Sequence, residues 1–221
     1  MVFQIKLLIM LNIRKFTFNP VEVNAFVLWD ETLECVLIDP ACFDPEEEHI
    51  LKQFIESNQL KPVRLLNTHG HFDHLMGNKF IKKTWGLKCE IHKDDNYLIE
   101  HAETLAKLFG IEMPAPPSCG KFIEDGEMIS FGNSELKVIH VPGHSPGGVA
   151  FYSEADKLLI SGDILFNNSI GRTDLPKGRF DLLVSGIKEK LLVLDENVKV
   201  YCGHGPDTSI GEEKRNNPYL K

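Results

Sequence analysis

Between Thr68 and His74 the chain reads Thr-His-Gly-His-Phe-Asp-His, which crowds three of its nine histidines and a carboxylate into one short segment. This segment constrains the fold more than any other. On a helix His69 and His71 would stand roughly 200° apart around the axis and could not meet. A loop leaving a strand end can bring them together, and Gly70 allows a tight backbone path between them. The apolar run from Val63 to Asn67 supplies such a strand, flanked by polar turns. His69 and His71 can then grip one metal ion while Asp73 and His74 turn toward a second. Imidazole and carboxylate donors together suit zinc, with manganese and iron also accepted. Isolated histidines are usually surface or hydrogen-bonded residues, but this crowding beside an aspartate argues against that plainer reading.

Three further segments have the same construction. Val141-Pro142-Gly143-His144-Ser145-Pro146-Gly147, Ile160-Ser161-Gly162-Asp163 and Cys202-Gly203-His204-Gly205-Pro206 each close an expected strand with a potential ligand among small residues. Small neighbours let the backbone come close to a crowded centre. Each alone could be an ordinary turn; the set, with the first cluster, points to a metal site.

The rest of the chain reads as strands and helices in two runs. Ile13 to Trp29, broken at Asn19-Pro20, gives two short strands, and Leu33 to Ile38 gives another, ending at Asp39-Pro40. Asp44-Pro45 has the form of a helix start, and Ile50, Leu51, Phe54 and Ile55 recur at helical spacing up to about Asn58. A helix is expected from Leu75 to Trp85, a strand over Lys88 to His92 and a helix from about Asp94 to Phe109. The three prolines of Met113 to Ser118 mark an irregular connection. Phe122-Ile123 and Met128-Ile129 flank an Asp125-Gly126 turn. Strands follow at Leu136 to Val141, Val149 to Tyr152 and Leu158 to Ile160, then a helix from about Phe180 to Leu192, a strand over Val198 to Cys202 and a polar helix after Thr208. Hairpin-type β runs outnumber β-α-β alternation. The expected class is therefore α/β in the α+β sense, a four-layer αββα sandwich with the site along one edge.

Residues 1–9 read as an N-terminal extension and 10–221 as a single domain. Val2 to Leu11 is apolar but interrupted by Lys6, too short to span a bilayer, and has neither a basic start nor a small-residue cleavage site. A cytoplasmic protein with no membrane partner is expected. The five cysteines (Cys35, Cys42, Cys89, Cys119, Cys202) form no C-x-x-C pair, which argues against a thiolate metal cluster and against a disulfide framework. The net charge of −8 argues against nucleic acid as a partner, since no basic excess exists to displace counterions. The composition leaves the oligomeric state open.

The pattern H-x-H-x-D-H, then P-G-H-S-P-G, G-D and G-H-G-P, resembles the metallo-β-lactamase superfamily. Ser161-Gly162-Asp163-Ile164-Leu165-Phe166 with Ser169-Ile170-Gly171-Arg172-Thr173-Asp174 is similar to the short bacterial glyoxalase II-type, hydroxyacylglutathione hydrolase-like metallohydrolases. The resemblance implies two divalent metal ions, zinc foremost. His69, His71 and His144 would hold one, Asp73, His74 and His204 the other, and Asp163 would bridge them. It implies hydrolysis of a thioester such as S-lactoylglutathione or a related small thioester by a metal-bridging hydroxide. Asp73 would orient that nucleophile or serve only as a ligand. Arg172 would bind a substrate carboxylate, or else pair with Asp174 or Asp181 to hold its loop. Larger members of the family carry a C-terminal helical domain that completes the glutathione site, and none is expected here. A mononuclear iron persulfide dioxygenase of the same superfamily is the alternative, and a secreted β-lactamase a third reading that the absence of a recognisable signal peptide disfavours. His49, His92, His101 and His140 fall outside the motifs and are expected to be structural.

Overall fold

The computed structural model describes residues 11–221; residues 1–9, expected as an extension, lie outside the described residues. Strands β1 (Asn12–Phe18) and β2 (Val23–Trp29) form a hairpin, broken where the sequence places Asn19-Pro20. β3 (Glu34–Ile38) pairs antiparallel with β2. Helix α1 (Pro45–Ser57) starts as expected: the Asp44 side chain accepts from the amides of Glu46 and Glu47, satisfying two N–H groups that no helical carbonyl can reach. Leu51 and Ile55 are buried, whereas Ile50, grouped with them by spacing, faces solvent at 42% exposure. β4 (Lys61–Leu66), β5 (Cys89–His92) and β6 (Lys121–Ile123) continue the sheet in parallel, with α4 (Asn96–Leu108) between the last two.

The expected helix from Leu75 to Trp85 is two helices. α2 (Phe72–Leu75) begins inside the histidine segment, and α3 (Asn78–Trp85) follows. Gly77 sits between them because the chain there passes the Pro40 carbonyl, from which a Cβ would be only 1.7 Å away. The runs on either side of Asp125-Gly126 do not pair with each other. β6 ends the first sheet and β7 (Met128–Phe131) begins the second, so this turn carries the chain across the sandwich. The flanking runs were too short to reveal their partners.

The second sheet adds β8 (Ser134–His140), β9 (Val149–Ser153), β10 (Leu158–Gly162), β13 (Lys199–Cys202) and β14 (Thr208–Ser209), in the order β14-β13-β10-β9-β8-β7. A small ribbon, β11 (Leu165–Phe166) with β12 (Ser169–Ile170), stands apart. Helix α5 (Phe180–Gly186) runs on into a π-helical turn (Ile187–Leu191), and α6 (Ile210–Asn216) follows the last strand.

Side chains alternate between the two faces of each strand. In β2, Ala25 and Val27 face the helices while Phe26 and Leu28 face the other sheet. Three apolar layers result. One lies between the first sheet and its helices (Val27, Leu65, Leu51, Ile99), one between the sheets (Phe26, Ile38, Val138, Phe151), and one between the second sheet and its helices (Leu159, Val200, Leu183, Ile210). Three such interfaces need four layers, and the fold is the αββα sandwich. β3 and β4 run the same way, as do β8, β10 and β13. The loops after these strands gather at one edge, where Val149 N–H donates to the Thr68 carbonyl across the sheets at 2.8 Å. Among the described residues no helix is long and apolar enough to cross a membrane.

Candidate metal centre

Every candidate ligand lies at this edge. His69 and His71 follow β4, Asp73 and His74 stand on α2, His144 follows β8, Asp163 follows β10 and His204 follows β13. The ligand atoms of His69, His71 and His144 lie within 4.8 Å of one another, and those of Asp73, His74 and His204 do the same. Asp163 reaches both groups. Its Oδ1 is 3.4 Å from His74 Nε2, and its Oδ2 is 3.5 Å from both His144 Nε2 and His204 Nε2. Gly203 lets this carboxylate in, since a Cβ there would lie 2.2 Å from Asp163 Oδ1.

The outer partners fix which ring nitrogen points inward. His144 Nδ1 donates to the Arg172 carbonyl at 2.8 Å, and His204 Nδ1 to the Val21 carbonyl at 3.1 Å. His74 Nδ1 donates to Asp39 Oδ2 at 3.0 Å. Thr68 Oγ1 gives its proton to Asp39 Oδ2 at 2.6 Å and so accepts from His69 Nδ1 at 3.0 Å. In all four rings a carbonyl, carboxylate or hydroxyl takes the Nδ1 proton and leaves Nε2 to face the centre, as in many metal-binding histidines.

The donor set fits metal ions. His69 Nε2 is buried without a hydrogen-bond partner, which would cost about 1–3 kcal/mol if nothing else were to meet it. Burial, reinforced by the neighbouring His74 and His71, holds His69 well below the usual imidazole range, and burial beside His144 takes His71 down to about 3. Both rings are neutral at neutral pH, with lone pairs to give. Burial opposes charge on His74 too, but the carboxylates of Asp163, Asp73 and Asp39 outweigh it and hold its pKa well above the ordinary value. His74 therefore has a proton to release when a cation arrives.

Arg172 contributes backbone and side chain to different places. Its carbonyl braces His144, whereas its guanidinium forms a bidentate pair with Asp174, both bonds 2.7 Å, with the side chain 56% exposed. Asp181 pairs instead with Arg179. Among the histidines outside the motifs, His92 and His140 stack with ring centroids 4.0 Å apart, and His101 Nδ1 bonds the Tyr97 carbonyl. Cys202 is a buried thiol whose pKa burial pushes up to about 12.

The sequence reading missed three residues that build the centre. Asp39 is fully buried and also accepts from the Thr68 amide at 2.8 Å. Asn24 Nδ2 donates to the Cys202 and Gly205 carbonyls on either side of His204. Asp95 accepts from Gly70, Ser145 and Gly147. Asp39 ends the strand beside β4, a position that could have marked it; Asn24 and Asp95 carry no local signal.

A model of the metallo-beta-lactamase superfamily matches residues 18–204. A Bacillus subtilis protein named probable metallo-hydrolase YqgX is 36% identical over 94% of this chain and 96% of its own length. Hydroxyacylglutathione hydrolase GloC of Haemophilus influenzae is 33% identical over 95% of this chain and 98% of its own. Among solved structures, BLEG-1 B3 metallo-beta-lactamase superimposes with a TM-score of 0.87 at 33% identity, covering 95% of this chain and 99% of that one. TTHA1623 in a di-iron-bound form gives 0.85 at 36% identity, covering 94% and 100%.

Proposed function

The chain belongs to the metallo-β-lactamase superfamily, and from that premise we propose that it is a dinuclear metallohydrolase acting on a hydroxyacylglutathione-like or related small thioester. The observation that carries this reading is the pair of ligand triads with Asp163 in reach of both. His69, His71 and His144 would hold the first ion, Asp73, His74 and His204 the second, and Asp163 would bridge them. Zinc suits these donors, and the di-iron form of a 36%-identical structure keeps iron in view beside manganese. Such a pair of ions supplies a water of lowered pKa, about 7, and a cationic seat for the developing oxyanion.

The chain's own groups do the rest. Asp73 Oδ2 lies 3.5 Å from His204 Nε2 and 3.8 Å from His74 Nε2. Burial works against its charge, but those two histidines keep its pKa below the ordinary carboxylate value, so it accepts a proton contact and can orient a water. A thiolate leaving group, with a thiol pKa of about 8.5, needs no dedicated acid. The Arg172–Asp174 pair is exposed and screened by solvent, and the guanidinium fork that holds Asp174 would take a substrate carboxylate in the same bidentate way. The similarity to the Haemophilus hydrolase supports the glutathione thioester in particular. A cytoplasmic location and a small-molecule partner, without nucleic acid or membrane, complete the proposal.

Elemental analysis of the purified protein, with assays on S-lactoylglutathione, a thioester lacking glutathione, a β-lactam and a glutathione persulfide, tests it. Two metal ions per chain with thioester turnover are expected. One iron per chain with oxygen uptake on the persulfide, or β-lactam turnover without thioester turnover, would overturn it.

A further inference from the structure

We propose that the two ligand triads are held by separate clamps, Asp95 for His69, His71 and His144 and Asn24 for His204, so that either triad can be loosened without the other. The inference rests on the dinuclear reading above.

Asp95 lies on a short helical turn after β5 and is fully buried. Its Oδ2 accepts from the Gly70 amide at 2.9 Å and from Ser145 Oγ at 2.7 Å, and its Oδ1 accepts from the Gly147 amide at 2.6 Å. Gly70 stands between His69 and His71, and Ser145 directly follows His144. One carboxylate thus fastens both loops that carry the first triad, one from each sheet. Its approach also accounts for one glycine, since a Cβ at position 147 would lie 2.8 Å from Asp95 Cγ. At position 70 a Cβ would instead meet Leu98 Cβ at 2.8 Å and the Asp95 backbone carbonyl oxygen at 2.9 Å.

The second triad is fastened from the opposite side, by the first hairpin. Asn24 N–H donates to the Gly203 carbonyl at 2.7 Å, and its Nδ2 donates to the carbonyls of Cys202 at 3.0 Å and Gly205 at 2.9 Å. His204 is therefore bracketed on both sides. In the same hairpin, Asn19 Nδ2 bonds the Asp73 carbonyl at 3.1 Å. The bonds made by Asp95 and those made by Asn24 have no residue in common. Neither side chain is placed as a ligand, so both are positioning residues.

Asp95→Asn keeps the shape of the side chain but sets an amide NH2 group against at least one N–H or O–H donor. We expect it to weaken the first site by up to about 10–100-fold, the loss seen when hydrogen bonds that orient metal ligands are removed, here through the loops that carry them. Equilibrium dialysis against zinc, at a concentration that fills both wild-type sites, should leave D95N with one ion per chain. Adding His204→Ala should remove that ion, whereas adding His144→Ala should leave it. Asn24→Ala should show the reverse pattern, losing its ion with His144→Ala and keeping it with His204→Ala. Two tightly held ions in D95N, or loss of both in D95N/H144A, would overturn the proposal, the second by showing that the variant loosens the whole molecule.

Hydrogen exchange of the metal-free protein tests the clamp apart from the metal count. In D95N the Gly70 and Gly147 amides should exchange faster while the Asn24 amide stays protected; unchanged exchange at both glycines would overturn the clamp. If the wild type binds a single ion, the dinuclear reading fails, and the exchange result still decides whether Asp95 holds the loops.

Discussion

Asp39 spends its two carboxylate oxygens on His74 Nδ1, the Thr68 amide and hydroxyl, and, at 3.3 Å, Asn67 Nδ2. Through Thr68 it also sets the His69 ring, so it braces a histidine of each triad. Asp39→Asn should accordingly weaken both metal sites together, about 10–100-fold each, read by zinc competition with a chelator; loss confined to one site would contradict that role. Arg172→Ala should raise KM for a carboxylate-bearing thioester and leave kcat nearly unchanged, because the side chain is exposed and is not placed as a ligand, while its carbonyl, retained in the variant, holds His144. A steady-state comparison on S-lactoylglutathione checks this, and a fall in kcat alone would argue against substrate binding. At this scale the histidine segment was readable because its residue types are scarce and crowded. Asp39 and Asp95 are ordinary aspartates until folding brings donors to them from far along the chain.

Elements were readable where their signals are local. Asp44 and Pro45 mark the start of α1 because capping involves only near neighbours. The Asp125-Gly126 turn was not, since which sheet a three-residue strand joins depends on partners elsewhere. At the edge of the sandwich opposite the metal centre, Asp30 ties two turns together. Its carboxylate accepts from Thr32 N–H and Oγ1 within its own turn, and from Asn133 N–H and Ser134 Oγ in the turn between β7 and β8. Burial alone would raise its pKa, but these donors outweigh burial and hold it below the ordinary value of 3.8. Because the folded pKa is the lower one, the stabilisation is complete above pH 3.8 and disappears as pH falls through the folded value. Asp30→Asn should cost about 1–3 kcal/mol at neutral pH in urea unfolding, with the deficit shrinking below pH 4. A deficit independent of pH would remove the charge from the explanation.

Over the whole molecule, the layer order was legible from alternating apolar residues and from helices that bury one face. The pairing that closes each sheet was not, because strand neighbours are chosen by contacts distant in sequence. The chain crosses between the sheets at Asp125-Gly126, so the first sheet is built wholly from residues before that turn and the second wholly from residues after it. The proposed ligands divide at the same place, four before it and three after, with Asp163 facing His74 and His144 facing His71 from the other half. A full donor set therefore exists only when the halves are joined, and an ion that binds it acts as a latch on their union. At a free metal concentration a hundred times the dissociation constant, each such ion would add about 2.7 kcal/mol to the joined form. With the proposed ions bound, the metal supply around the protein would set how firmly its two halves stay closed.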